Sequence, residues 1–153
     1  MTAVPWPLPP RPGPPPCVVT GPPAEQLTQN APVDQQTRLE RGMSVLHGVR
    51  TGASSACPGG SRAFHLETWL ALGPPHMFFA GTEFAHLHPH YDGSVHVFLP
   101  PATAWAVHAG GWAAPPGPDG ALLVYGPRNA VETEVVRAVL LRAYHHARGV
   151  PDT

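Results

Sequence analysis

The stretch EFAHLHPHYDGSVHVFL, residues 83–99, reads as two β-strands, EFAHLH and SVHVFL, joined by Pro-His-Tyr-Asp-Gly. Asp-Gly is a turn signal, so the pair forms a hairpin and any sheet built on it is antiparallel. Side chains alternate along a strand. Phe84, His86 and His88 therefore share one face, and Glu83, Ala85 and Leu87 the other. On the return strand Ser94, His96 and Phe98 share a face. With His90 opposite Ser94, His88 faces His96 and His86 faces Phe98, at Cβ separations of roughly 4.5–5.5 Å. Three imidazoles then project from one patch of sheet. A slip of one residue would break the convergence.

Working outward, short β-like segments with turn signals between them occupy Val49–Ser54, Arg62–Leu66, Thr68–Leu72, His76–Phe79, Ala104–His108 and Ala121–Tyr125. Two helices bracket them. In Asp34–His47, Leu39, Met43 and Leu46 repeat at i, i+4, i+7, Asp34 is placed to cap the start, and Gly48 ends it. Near the C-terminus Asn129 is an N-cap candidate with Glu132 three residues on, a variant of the capping box. Val131, Val135, Val136, Val139, Leu140, Ala143 and Ala147 follow as one apolar stripe, and Arg142 and Arg148 suit the dipole at its end. This order predicts an α+β fold. An antiparallel sheet of about five to seven short strands packs against an N-terminal and a C-terminal helix. Residues 33–150 form that single domain, and residues 1–32, with eleven of the 22 prolines, form a Pro-rich arm. Residues 1–16 should be extended, PPII-like and weakly anchored, either a ligand for an SH3-type module or an arm strapped over the domain or left mobile.

Composition narrows the chemistry. The 153 residues carry a formal charge of −1 and no basic patch, so no nucleic acid and no membrane surface is expected as a partner. All nine cations are Arg, so this chain has no lysine for a Schiff base or a P-loop. No GxGxxG or Walker pattern occurs, and no nucleotide cofactor is expected. Charged residues make up only 12% of the chain, a thin ionic cover that favours a homodimer. Cys17 and Cys57 match no metal or redox spacing and read as free thiols of a reducing cytosol, with a bridge between them as the alternative. The N-terminal MTAVPWPLPPRPGPPP lacks an apolar signal core. No apolar run approaches the roughly 18 residues of a span. The expectation is a soluble, cytoplasmic protein.

The candidate site is the histidine hairpin. Three imidazoles on one face permit a zinc-type metal site with an open position, with His86, His88 and His96 as ligands. They equally permit metal-free acid–base catalysis. Against both stands the plain reading of locally satisfied strand histidines. Asp92 is a turn-former that can also orient a histidine. A Ser94–His96–Asp92 hydrolase lacks a G-x-S-x-G elbow. Glu83 reads as a strand-edge charge. Phe84, Phe98, Trp105 and Trp112 are candidates for an apolar substrate wall. Arg128, just before the final helix, is a candidate anion contact or a surface salt bridge. His108 would close the site from a neighbouring strand, and His145 and His146 read as solvated.

The succession LTQNAP, PGGSRAFHL, EFAHLHPHYDGSVHVFLPP, GGW and VYGPR, followed by a Glu-containing helix, resembles the "luciferase domain" family of small bacterial and fungal proteins. The resemblance runs from about Pro9 to about Arg148, and AHLHP…DGSVHVFLPP is its most specific piece. The family name is no argument for light emission. The resemblance implies that His86, His88 and His96 belong to the family motif, together with Asp92-Gly93-Ser94, and that His90 lies in a variable turn. Family members tend to carry His-Pro shortly after Gly-Trp, where this chain reads Gly111-Trp-Ala-Ala-Pro-Pro116. That departure leaves open whether His108 substitutes.

Together these readings predict an enzyme acting on a small apolar molecule, with His86, His88, His96 and Asp92 as the catalytic set. The chemistry is acid–base or metal-assisted: cyclisation, isomerisation or hydrolysis, of a kind suited to specialised metabolism. The alternative is a non-catalytic binding or accessory protein using the same pocket.

Overall fold

The computed structural model describes residues 6–151. Its centre is a five-stranded antiparallel meander of β3 (Val49–Ala53), β4 (Arg62–Leu66), β5 (Glu83–Leu87), β6 (Val95–Val97) and β7 (Leu122–Val124), each pairing with the next. A two-stranded ribbon, β1 (Val18–Val19) and β2 (Glu25–Gln26), precedes it. Helices α1 (Val33–Ser44) and α3 (Ala130–Ala147) pack together, and α3 lies against β5. The fold is α+β, as the element order implied.

The sheet sorts its two faces by residue. Phe64, Ala85, Leu87, Val95, Val97, Leu122 and Val124 join Leu39 and Met43 of α1 and Val136, Val139 and Leu140 of α3 in the main core. The other face carries one row across four strands: Ala63, His86, His96 and Leu123. Alanine at the start of that row leaves room beside His86.

Helix α3 is built as its sequence suggests. Asn129 caps it, its side chain accepting from the Glu132 N–H at 3.0 Å. The stripe from Val135 to Ala147 is buried. Val131 is the exception, exposed on the first turn. Helix α1 starts one residue earlier than expected, and Asp34 does not cap it. Pro32 takes the N-cap position, and its carbonyl accepts from Gln35 and Gln36.

Three expected strands are something else. Ala104–His108 lies inside helix α2 (Pro101–Ala109). Pro101 opens that helix with φ already set, Ala102, Ala104 and Ala106 favour it, and Ala104 and Val107 bury one face at i, i+3 spacing. Thr68–Leu72 and His76–Phe79 contain 3₁₀ turns at Thr68–Leu70 and Pro75–Met77. Pro74 and Pro75, without N–H donors, suit a turn better than a ladder.

Residues 6–32 lie against the body. The Arg11 N–H donates to Gly110 at 2.9 Å, and Trp112 Nε1 donates to the Pro9 carbonyl at 2.7 Å. Arg142 stacks over Trp6 at 4.1 Å. The Gln26 N–H reaches the Asp92 carboxylate at 3.1 Å, linking β2 to the histidine hairpin. Among the described residues no helix is long and apolar enough to cross a membrane.

Candidate functional site

The hairpin register differs from the expected one by two residues. His86 pairs with His96, Leu87 with Val95, and the His88 N–H donates to Ser94. The turn is longer, residues 89–93, because the Asp92 and Gly93 N–H groups both fold back onto the Pro89 carbonyl. Gly93 has φ +77°, and a Cβ there would meet Gln36 Nε2 at 2.6 Å. That Gln36 side chain donates to the His90 carbonyl, holding the turn against α1. A two-residue shift keeps every side chain on its own face. The three imidazoles therefore still converge, with ring centroids 5.2 Å apart for His86–His88, 5.3 Å for His86–His96 and 5.5 Å for His88–His96.

A bulge between β4 and β5 rearranges the start of the hairpin. His65 pairs with Glu83 and Phe64 with Ala85, which leaves Phe84 as an extra residue on β5. Phe84 turns to the helix side, packing on Phe64 and Tyr144. Glu83 comes to the histidine side, fully buried. The expected positions of these two side chains are exchanged.

Each buried histidine is oriented by a carboxylate. His86 Nδ1 donates to Glu83 Oε2 at 2.9 Å, and the same carboxylate accepts from Ser54 Oγ at 2.8 Å and the Ser55 N–H at 3.2 Å. Burial alone would raise the Glu83 pKa. The hydrogen bonds from His86, Ser54 and Ser55 outweigh it and hold the carboxyl below its ordinary value. An ionised Glu83 only accepts, so the His86 proton is on Nδ1 and Nε2 carries a lone pair. That Nε2 is buried and has no hydrogen-bond partner.

His88 is held through a relay. Its Nδ1 lies 2.8 Å from Ser94 Oγ, which lies 2.5 Å from Asp92 Oδ1. Burial pushes the Asp92 pKa up, and hydrogen bonds from His88 and Ser94 bring it below its ordinary value. The carboxylate accepts from the Ser94 hydroxyl, so Ser94 Oγ accepts from His88 Nδ1–H, and the neutral His88 ring has its lone pair on Nε2. Ser94 is therefore a buried connector between His88 and Asp92, not a nucleophile activated by His96. For His96, burial above all lowers the pKa to about 3, and protonation of His86 or His88 would oppose a charge on it further. It is a neutral imidazole at physiological pH.

The three rings line a cavity of about 650 Å³. Residues 20–24, from the tip of the β1–β2 ribbon, form one wall. Gly117, Pro118, Asp119 and Ala121 form another, and Phe79, Ala56 and Cys57 complete it. Phe79 sits 4.7 Å from the His86 ring and 4.6 Å from Phe98. Cys57, on the loop between β3 and β4, brings its sulfur to the histidines: the ligand atoms of Cys57, His86 and His88 all lie within 4.8 Å of one another. Cys57 had no motif to announce it, and the ribbon tip carried only a proline signal.

The remaining candidates sit elsewhere. Trp112 is buried and bonded to Pro9, and Trp105 is exposed on α2 beside a separate hollow with Phe98 and His76. Arg128 pairs with Glu132 at 2.6 Å and also binds the Pro12 carbonyl, so its role is to tie down residues 6–32. His108 is on a helix, where its Nδ1 meets the Ala113 carbonyl at 2.8 Å, and it does not line the cavity.

Residues 81–144 match the family profile described as Luciferase domain. The resemblance carried by the hairpin motif is upheld over that segment. The matched segment contains Glu83, His86, His88, Asp92, Ser94 and His96, and Cys57 lies outside it. Comparison with curated proteins and with solved structures found no match.

Proposed function

We propose that this protein processes a small, neutral, largely apolar molecule in the histidine-lined cavity by acid–base chemistry such as isomerisation, cyclisation or hydrolysis. The observation that carries the reading is the pair of oriented imidazoles, His86 and His88, each with Nδ1 committed to a carboxylate network and Nε2 left with a lone pair. A proton removed from a substrate is handled at that Nε2 edge. Positive charge arising on His88 is answered by Asp92 through Ser94, and on His86 by Glu83 directly. His96 stays neutral and offers a hydrogen bond to a polar group of the substrate.

The lining supports the substrate class. Proline, alanine and glycine make up most of it apart from the histidines, and among the described residues Asp119 is its one carboxylate and no arginine faces it. A phosphate or other strong anion would find no cationic partner there. The volume suits a molecule of metabolite size. Biosynthetic work in the cytoplasm belongs to the same reading, supported by two unbridged cysteines. So does a homodimer, supported by exposed Trp69, Leu72 and Trp105 in a weakly charged chain.

Comparative metabolite profiling of cells making the wild-type chain, His88→Ala and His96→Ala tests this. A compound consumed or formed with wild type alone supports the enzyme. Identical profiles with both variants folded overturn it. A compound retained by the purified wild type, unchanged and in equal amount, would point to binding without turnover.

A further inference from the structure

We infer that Cys57, His86 and His88 form a binding site for a borderline transition-metal ion of the zinc class, with its open coordination position facing the cavity. The inference deepens the proposed function, since the two Nε2 atoms would act on a substrate through an ion. It rests on that reading only for the identity of the cavity, and its test reads the ion itself.

The donor set is the first ground. Two imidazole nitrogens and a thiolate suit zinc, and a catalytic site keeps three protein ligands and one open position. The three ligand atoms lie within 4.8 Å of one another. Tetrahedral bonds of about 2.0–2.3 Å place ligand atoms roughly 3.5 Å apart, a small contraction of this group, and Cys57 stands on a loop.

The second ground is His86 itself. It is 1% exposed, yet its Nε2 has no hydrogen-bond partner. A buried polar atom without a partner is destabilising, and a metal bond would satisfy it.

The third ground is the outer layer. A metal-binding histidine characteristically gives its other N–H to a carboxylate. Here Glu83 takes that of His86, and Ser94–Asp92 that of His88. Ser54 Oγ, besides donating to Glu83, accepts from the Cys57 N–H at 2.9 Å. One carboxylate thus fixes His86 and, through Ser54, the backbone of Cys57. The Ser61 hydroxyl lies 3.4 Å from the Cys57 sulfur, where it would stabilise a thiolate. His96 lines the same cavity and falls outside the close group, so it is left beside the open position rather than in the ligand set. Binding releases the thiol proton to solvent.

The test uses the purified full chain, stripped with chelator and titrated with Co²⁺ as a spectroscopic probe. One equivalent should bind with a thiolate-to-cobalt charge-transfer band in the near ultraviolet. Cys57→Ser should abolish the band and weaken binding by roughly tenfold or more, and Cys17→Ser should do neither. Because a histidine variant could misfold, alkylation of the wild type with iodoacetamide gives a second readout. Zn²⁺ should protect Cys57 while Cys17, exposed in the same chain, reacts at an unchanged rate. Absence of Co²⁺ binding, or equal alkylation of both cysteines at saturating Zn²⁺, overturns the site. Stoichiometric binding that survives Cys57→Ser and disappears in folded His96→Ala would also overturn it, in favour of a three-histidine centre. Metal binding without any wild-type-specific change in metabolites would uphold the site and refute the proposed turnover.

Discussion

Glu83 and His86 meet side chain to side chain at 2.9 Å, although residues three apart on a regular strand point to opposite faces. The bulge at Phe84 makes this possible, and it puts a carboxylate behind the most buried imidazole of the site. Replacing Glu83 by Ala removes the acceptor of three donors at once: His86 Nδ1, Ser54 Oγ and the Ser55 N–H. Urea denaturation should show a loss of about 3–5 kcal/mol, since each buried donor left unpaired costs about 1–3 kcal/mol. A loss below 1 kcal/mol would mean the network is not formed.

The same bulge predicts a contrast between two phenylalanines. Phe84→Ala should cost about 3–5 kcal/mol through a core cavity, because Phe84 is fully buried against Phe64 and Tyr144. Phe79→Ala should cost less, since Phe79 is only partly buried, and should enlarge the histidine-lined cavity instead. Paired melts of the two variants check the order.

The face of the hairpin was legible in the sequence, and its register was not. Alternation assigns His86, His88 and His96 to one side whatever the even-numbered shift, so the convergence survived a two-residue error in pairing. Turn length depends on where Asp92 and Gly93 bond, which no pattern in the chain reveals. The bulge is equally silent, because it arises from how β4 meets β5, and it exchanged the roles of Glu83 and Phe84. Ala104–His108, a short apolar run, resembles a strand, while Pro101 and the alanines carry the helical signal. Cys57 and residues 20–24 approach the site only through tertiary packing. Of the aromatic wall expected there, Trp105 and Trp112 lie elsewhere and Phe79 stands beside the imidazoles.

Ser94 is predicted to be unreactive. Its proton is engaged by Asp92 and its oxygen by His88 Nδ1. A fluorophosphonate probe should leave it unlabelled, which intact-mass measurement would register. Ser94→Ala should nevertheless reduce any activity by roughly 10–100-fold, the range for loss of a group that orients a metal-binding or catalytic histidine.

The pH dependence of stability should carry two components. Burial holds His86 and His96 below the ordinary histidine value, with His96 at about 3. The unfolded chain protonates these rings below about pH 6.5 while the folded chain keeps them neutral. Their contribution is therefore complete above that pH and declines as the pH falls, by about 1.4 kcal/mol per unit for each fully neutral ring. Glu83 and Asp92, held below ordinary carboxylate values, contribute above those values and add a further loss as acid protonates them. Denaturation of the chelator-treated protein across the range should show the early decline, and His96→Gln should flatten it.

Residues 6–16 should be structural. Deleting residues 1–16 removes the Pro9 carbonyl from Trp112 Nε1 and the Arg11 guanidinium from above the Tyr125 ring. Leaving the indole N–H unpaired should cost about 1–3 kcal/mol, seen as a lower melting temperature.

Long-range ¹H–¹⁵N NMR of histidine-labelled protein reports directly which ring nitrogen carries the proton. His86 and His88 should both be Nδ1–H tautomers at neutral pH, with Nε2 resonances shifted on adding Zn²⁺. Protons found on Nε2 of either ring would contradict it, because neither imidazole would then present a lone pair to the cavity.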